Sequence, residues 1–106
     1  LATKVGFFNM IFMLGEKLGL DYNRVLEGVL SDPRISKSHT AVPGPDGDYG
    51  FGGTCFPKDV NAMIKSLQDH GVSPSILESV WKANMQYRNN WDWAKNASAV
   101  KANETI

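Results

Sequence analysis

The residues best equipped for chemistry lie in one stretch, Tyr49-Gly50-Phe51-Gly52-Gly53-Thr54-Cys55-Phe56-Pro57-Lys58-Asp59. It holds the only cysteine, with a cation at Lys58 and a carboxylate at Asp59 close behind. A lone cysteine is most often a small buried hydrophobe. Three features favour a reactive thiol here. Cys55 comes just before an expected helix start, where the free N–H groups and the helix dipole favour negative charge on sulfur. Lys58 adds positive charge within one turn, and Gly52 and Gly53 leave bare backbone along which a ligand can approach. Asp59 has two readings: a carboxylate complementing the dipole, or a group that orients or activates a water. Lys58 can equally be a solvated charge. His39 and His70 have no motif around them and read as structural or surface residues.

The elements that must position this stretch read as helices. Residues 1–19 carry apolar side chains at 1, 2, 5, 8 and 12, with Phe7, Met10, Ile11 and Leu14 covering much of the remaining surface. A helix apolar nearly all round is buried on two sides, which in so small a domain implies a second chain or another domain. Gly6 and Gly15 either admit a close helix or are poor helix formers overridden by packing. Asn9, among apolar neighbours, reads as a structural hydrogen-bonder. Gly19 caps the helix. Asp21 is the expected N-cap of a second helix over about 22–31, with Val25, Leu26, Val29 and Leu30 inward.

Residues 32–54 contain Pro33, Pro43, Pro45 and five glycines, a loop by composition. Loops this long in small domains are usually functional. Asp46-Gly47-Asp48 is not a calcium loop, because Pro57 stands where the bidentate Glu belongs. No Gly-Lys-Ser/Thr makes a phosphate loop. A third helix is expected over 57–70 with Pro57 first, striped by Val60, Met63, Ile64 and Leu67. A fourth follows, with Ser73 as N-cap and Pro74 in the first turn; Ile76, Leu77, Val80, Trp81 and Asn84 fall at helical spacing. Met85, Tyr87, Trp91 and Trp93 read as packing. A domain over 1–93 and a frayed tail over 94–106 are expected. Asn96-Ala97-Ser98 and Asn103-Glu104-Thr105 match the glycosylation pattern by chance, since no secretory signal accompanies them. No stretch alternates as a strand would. The fold class is all-α, a small helical domain built on a long buried helix, with a Gly/Pro-rich loop before the cysteine helix.

The totals bound the rest. The chain has 106 residues, 42% hydrophobic and 21% charged, with zero formal net charge. That is one domain's worth, able to bury roughly two thirds of its unfolded surface. Zero net charge argues against nucleic acid or an anionic membrane as partner. One cysteine excludes an internal disulfide and any multi-cysteine metal site, and fits a cytoplasmic location; no metal site is expected. No apolar run approaches the ~20 residues that a bilayer needs. The start at Leu1 in mid-pattern suggests a piece of a longer chain.

The run Gly50 to Asp59 resembles the cysteine motif of the UDP-glucose/GDP-mannose dehydrogenase family. Leu1-Ala2-Thr3-Lys4-Val5, Phe8-Asn9, Asp32-Pro33-Arg34-Ile35 and Val42-Pro43-Gly44-Pro45-Asp46-Gly47 resemble that family's central, dimer-forming domain, most like its UDP-glucose branch. The similarity covers about 90 residues. It implies an NAD-dependent oxidoreductase that oxidises a sugar-nucleotide alcohol twice, to a carboxylate, through a cysteine thiohemiacetal and thioester. Cys55 would be the nucleophile and Asp59 its water-orienting partner. Cys55 and Lys58 would lie on the cofactor side. Asp48, Tyr49, Gly50, Phe51, Gly52 and Gly53 would line the sugar. Arg34, which by itself reads as a solvated charge, would reach the sugar of the neighbouring subunit in a homodimer formed through the central helices. The family's catalytic Lys and Asn, four apart, fall before Leu1, and its NAD fingerprint is absent. The 106 residues alone are therefore expected to be inactive. The alternative is a non-catalytic helical dimerisation module; an independent thiol enzyme ranks last for want of a His partner.

Overall fold

The computed structural model describes residues 1–95. Among them are four α-helices, one short 3₁₀ helix and no strand, the all-α architecture expected. Helix α1 spans Ala2–Leu18 and closes on Gly19, whose φ of 69° lets the N–H groups of Gly19 and Leu20 reach back to the carbonyls of Glu16 and Gly15. Helix α2, Tyr22–Leu30, is capped by Asp21, whose carboxylate accepts the Asn23 N–H at 3.0 Å.

Helix α3 spans Cys55–Asp69, two residues earlier than the start expected at Pro57. Proline is tolerated in the first turn, where its missing N–H has no intrahelical acceptor, so Pro57 permits the helix without having to begin it. Helix α4, Ser75–Tyr87, begins one residue later than expected, with Pro74 rather than Ser73 at the cap. A short 3₁₀ helix follows over Asp92–Lys95. The rest of the expected tail, residues 96–106 with both glycosylation patterns, lies outside the described residues.

Both α1 and α3 pack on α4. The core is Phe51, Val60, Ile64, Trp81 and Trp93, with Trp81 against Trp93 at 5.1 Å between ring centroids and Phe51 at 6.3 Å. Trp91 is half-exposed and stacks on Trp93. Helix α1 is less buried than its composition implies: Phe8 and Asn9 face inward, while Phe7, Met10, Leu14 and Leu18 lie on the surface of the single chain. No described helix is long and apolar enough to cross a membrane.

Candidate active site

Cys55 is a free, exposed thiol and the first residue of α3, not a residue just before it. The earlier start changes the geometry. At helical spacing Asp59 lies one turn on, on the same face as Cys55, and Lys58 lies on the adjoining i+3 position. In this first turn the Cys55 and Phe56 N–H groups have no intrahelical acceptor, Pro57 has no N–H, and the Lys58 N–H is bonded to the Thr54 carbonyl at 3.1 Å. Lys58 Nζ stands 3.8 Å from Asp59 Oδ1, with both side chains exposed. Such a pair is worth little to stability, and both groups remain available to a ligand.

The loop leading into Cys55 is held by side chains distant in sequence. Asn9 Oδ1 accepts the Gly50 N–H at 2.9 Å. Asn84 of α4 accepts the Phe51 N–H at 2.7 Å and donates to the Phe51 carbonyl at 2.9 Å, as a neighbouring strand would. Asp92 accepts the Gly53 N–H at 2.9 and 3.0 Å. Three backbone donors of the loop expected to line a sugar are thus engaged inside the chain. The loop's glycines are required sterically. Gly50 has φ 63°, and a Cβ there would overlap Asn84 Oδ1; a Cβ at Gly52 would overlap Arg88 Nη2.

Arg88, four residues beyond Asn84 and just past α4, has a side chain only 1% exposed. Its Nη1 donates to Asp46 Oδ2 at 2.7 Å, and its Nε donates to the Asn90 carbonyl at 2.9 Å. Asp48 and Asp92 carboxylates lie 3.5 and 3.4 Å from the guanidinium, and Trp93 presents its ring face at 5.8 Å. Asp48 also accepts the N–H groups of Tyr49, Asn89 and Asn90. Burial works to raise the pKa of Asp46 and of Asp48. It is outweighed at Asp46 by the bonds from Arg88 and the Asp48 N–H, and at Asp48 by three backbone N–H groups and the Arg88 charge, so both carboxyls titrate below the usual value.

A hollow of about 490 Å³ opens beside this loop, walled by Val5, His39, Pro45, Phe56, Asp92 and the ribbon Gly50 to Gly53. His39, in a left-handed conformation (φ 63°), lays its ring parallel to Phe56 at 5.8 Å. Asp59 lines a second hollow of about 310 Å³ with Leu1, Ala2, Thr3 and Met63. Phe56 is a wall of both, so the residue after the cysteine divides the glycine side from the carboxylate side.

The structure therefore brings Cys55, Lys58 and Asp59 together on α3 and gathers Gly50, Phe51, Gly52 and Gly53 at one hollow. Asp48 and Tyr49 do not line that hollow. The Asp48 carboxylate turns toward the end of α4, and the Tyr49 ring packs near Phe12 at 5.7 Å. Arg34 lies apart, forked onto Asp32 at 2.7 Å and 87% exposed. Asn9 is the buried structural hydrogen-bonder expected. His39, read as a structural or surface residue, is exposed and also lines the hollow. Sequence reasoning also passed over Asn84, Arg88 and Asp92 as site residues. A signal for the first two existed: 77, 81, 84 and 88 form one helical stripe, which places a carboxamide and a guanidinium where core side chains belong.

A dinucleotide cofactor normally rests on a strand–turn–helix with a glycine-rich turn. The described residues hold no strand, so they do not by themselves make such a site; Cys55 and Lys58 could only border one. No group of three or more His, Cys, Asp or Glu among them is arranged to hold a metal ion.

Residues 1–86 match the profile of the UDP-glucose/GDP-mannose dehydrogenase family, central domain. The UDP-glucose 6-dehydrogenase of Rickettsia prowazekii (strain Madrid E) is 40% identical over 84 residues, which is 79% of this chain and 18% of that protein. TuaD, a UDP-glucose 6-dehydrogenase of Bacillus subtilis (strain 168), is 35% identical over 88 residues, covering 83% of this chain and 18% of that protein. The UDP-glucose 6-dehydrogenase of Pseudomonas aeruginosa is 39% identical over 88 residues, with the same coverage. The chain thus spans about a fifth of the length of these relatives. No solved structure matches it significantly.

Proposed function

The chain belongs to the UDP-glucose/GDP-mannose dehydrogenase family, and we propose that it supplies the nucleophile of an NAD-dependent enzyme oxidising UDP-glucose to UDP-glucuronate. The observation that carries this reading is the exposed thiol at the first turn of α3, with a carboxylate one turn on; Cys55 does not itself line the glycine-walled hollow, but its neighbours Gly53 and Phe56 do. NAD would be the oxidant at both stages and would be held by chain outside this segment. Cys55 acts on the aldehyde stage. Its sulfur adds to the carbonyl carbon, the oxygen takes up a proton, and the resulting thiohemiacetal carries the hydrogen that leaves as hydride. The thioester so formed is then open to water. Asp59, on the same helical face as Cys55, takes the proton of that water as it attacks, and the thiolate departs. The first-turn N–H groups of α3 favour negative charge on the departing sulfur. Lys58 faces the cofactor side, and Gly50, Gly52 and Gly53 give the sugar bare backbone beside the Phe51 ring.

The same reading makes the protein a cytoplasmic homodimer joined through α1, with Arg34 reaching the sugar bound by the partner. It is supported by the exposed Phe7, Met10 and Leu14, and by a groove of about 490 Å³ between α1 and α4 that includes Phe7, Met10, Ile76 and Tyr87. The 106 residues alone would not turn over, because the described part contains no dinucleotide site.

The test is made in the full-length protein carrying this segment. Cys55→Ala abolishes UDP-glucuronate formation; a normal rate in that variant would sink the assignment. Asp59→Asn slows turnover by about a hundredfold, and intact-mass measurement finds the acylated chain accumulating at Cys55.

A further inference from the structure

We infer that Asn84 and Arg88 are positioning residues for Cys55, holding the glycine ribbon in the one path that delivers the thiol to the first turn of α3. This deepens, and rests on, the reading of Cys55 as the nucleophile. Neither residue touches the hollow or the thiol; both act through the ribbon between them.

Three observations support the inference. First, Asn84 engages both the N–H and the carbonyl of Phe51, four residues before Cys55, so the peptide direction there is fixed at both polar groups. Second, Arg88 gathers Asp46 from the loop before the ribbon, the Tyr49 carbonyl at the ribbon's leading edge, and Asp92, which in turn grips the Gly53 N–H at its far end. One buried guanidinium therefore reaches the ribbon's two ends, which a point charge could not do with comparable geometry. Third, the ribbon lies so close to both side chains that Gly50 and Gly52 cannot carry a Cβ. A guanidinium 1% exposed is costly to desolvate, and leaving its partner carboxylates unmatched is costlier. The arrangement thus admits one ribbon conformation and penalises its neighbours. Thr54 makes no side-chain cap to α3, so nothing local replaces this hold.

The test uses the full-length protein. Arg88→Met removes the fork, and Asn84→Asp, nearly isosteric, turns a donor into an acceptor facing the Phe51 carbonyl. Three quantities are read: thermal unfolding, hydrogen–deuterium exchange of residues 49–56, and steady-state kinetics well below the melting temperature. The expected result is faster exchange over 49–56 and a kcat lower by about a hundredfold, the scale of an ångström-sized misplacement. KM for the sugar nucleotide stays near its original value, because the loss falls on the reacting geometry. Should Arg88→Met fail to fold, Asn84→Asp decides. Unchanged kcat in a folded variant overturns the inference. So does a kcat loss that merely follows the lost folded fraction while exchange over 49–56 is unaltered. If the unsubstituted protein forms no UDP-glucuronate, the dehydrogenase reading fails. The exchange data then still decide whether the two residues hold the ribbon.

Discussion

One flank of α1 carries Phe8 and Asn9, both buried, and Asn9 gives its carboxamide to the backbone of Gly50, 41 residues away. The other flank carries Phe7, Met10 and Leu14, each about half exposed. The inner flank thus buries a polar group beside an apolar one, while large apolar groups lie on the surface. On the inner flank, directional bonds do what apolar contact cannot, since they fix which way a bare glycine backbone runs. Burying Asn9 and Asn84 is tolerable because their bonds to the loop are made. The outer flank, by contrast, holds surface of the kind that interfaces use, and nothing within the described chain covers it. In the proposed function, chemistry and assembly would occupy opposite sides of one helix.

That comparison can be broken at several points. The largest loss of stability is expected where α4 carries both sides. Trp81→Ala should cost about 3–5 kcal/mol in urea unfolding, because a fully buried indole leaves a cavity between Phe51 and Trp93. Next comes the inner flank itself. Gly52→Ala drives a methyl onto the Arg88 guanidinium and should cost about 1–3 kcal/mol by overpacking. A neutral result would mean that the ribbon moves freely and that the inner flank is not held as described.

Acid probes the same flank more gently. Asp46 and Asp48 titrate below their unfolded value of 3.8. The stability they contribute is complete above that value and is lost as pH falls through their lower folded values. The urea midpoint should therefore be flat near neutrality and drop in acid below about pH 4, and Arg88→Met should flatten that drop. Smallest for stability is the outer flank. Phe7→Ser should change the unfolding free energy of the single chain little, within about 0.5 kcal/mol, while weakening self-association in sedimentation. A chain that is monomeric at micromolar concentration before any substitution would remove the assembly half of the comparison.

How much of this could be read beforehand differs from element to element. The four helices and the lack of strands among the described residues follow from local signals: Gly19 and Asp21 act at their own ends of their own helices, and the apolar stripes repeat within a turn or two. The start of α3 was misplaced because Pro57 is acceptable anywhere in a first turn, so its presence limits the start without fixing it. The thiol, its lysine and its aspartate were legible because they are near one another in sequence. His39 was not, since what draws it to the hollow is a ring contact with Phe56, 17 residues on.

By itself, then, the sequence determined the four helices, the caps at Gly19 and Asp21, and the closeness of Cys55, Lys58 and Asp59 along the chain. Those properties depend on neighbours within about one turn of chain. Only the tertiary structure decided what holds the glycine ribbon. Asn84 reaches Phe51 across 33 residues and Asp92 reaches Gly53 across 39. A helical stripe can say that Asn84 faces inward, but not which backbone N–H folding brings to it. The pairing of those groups is a property of the packed chain, because neither partner's sequence neighbourhood contains the other.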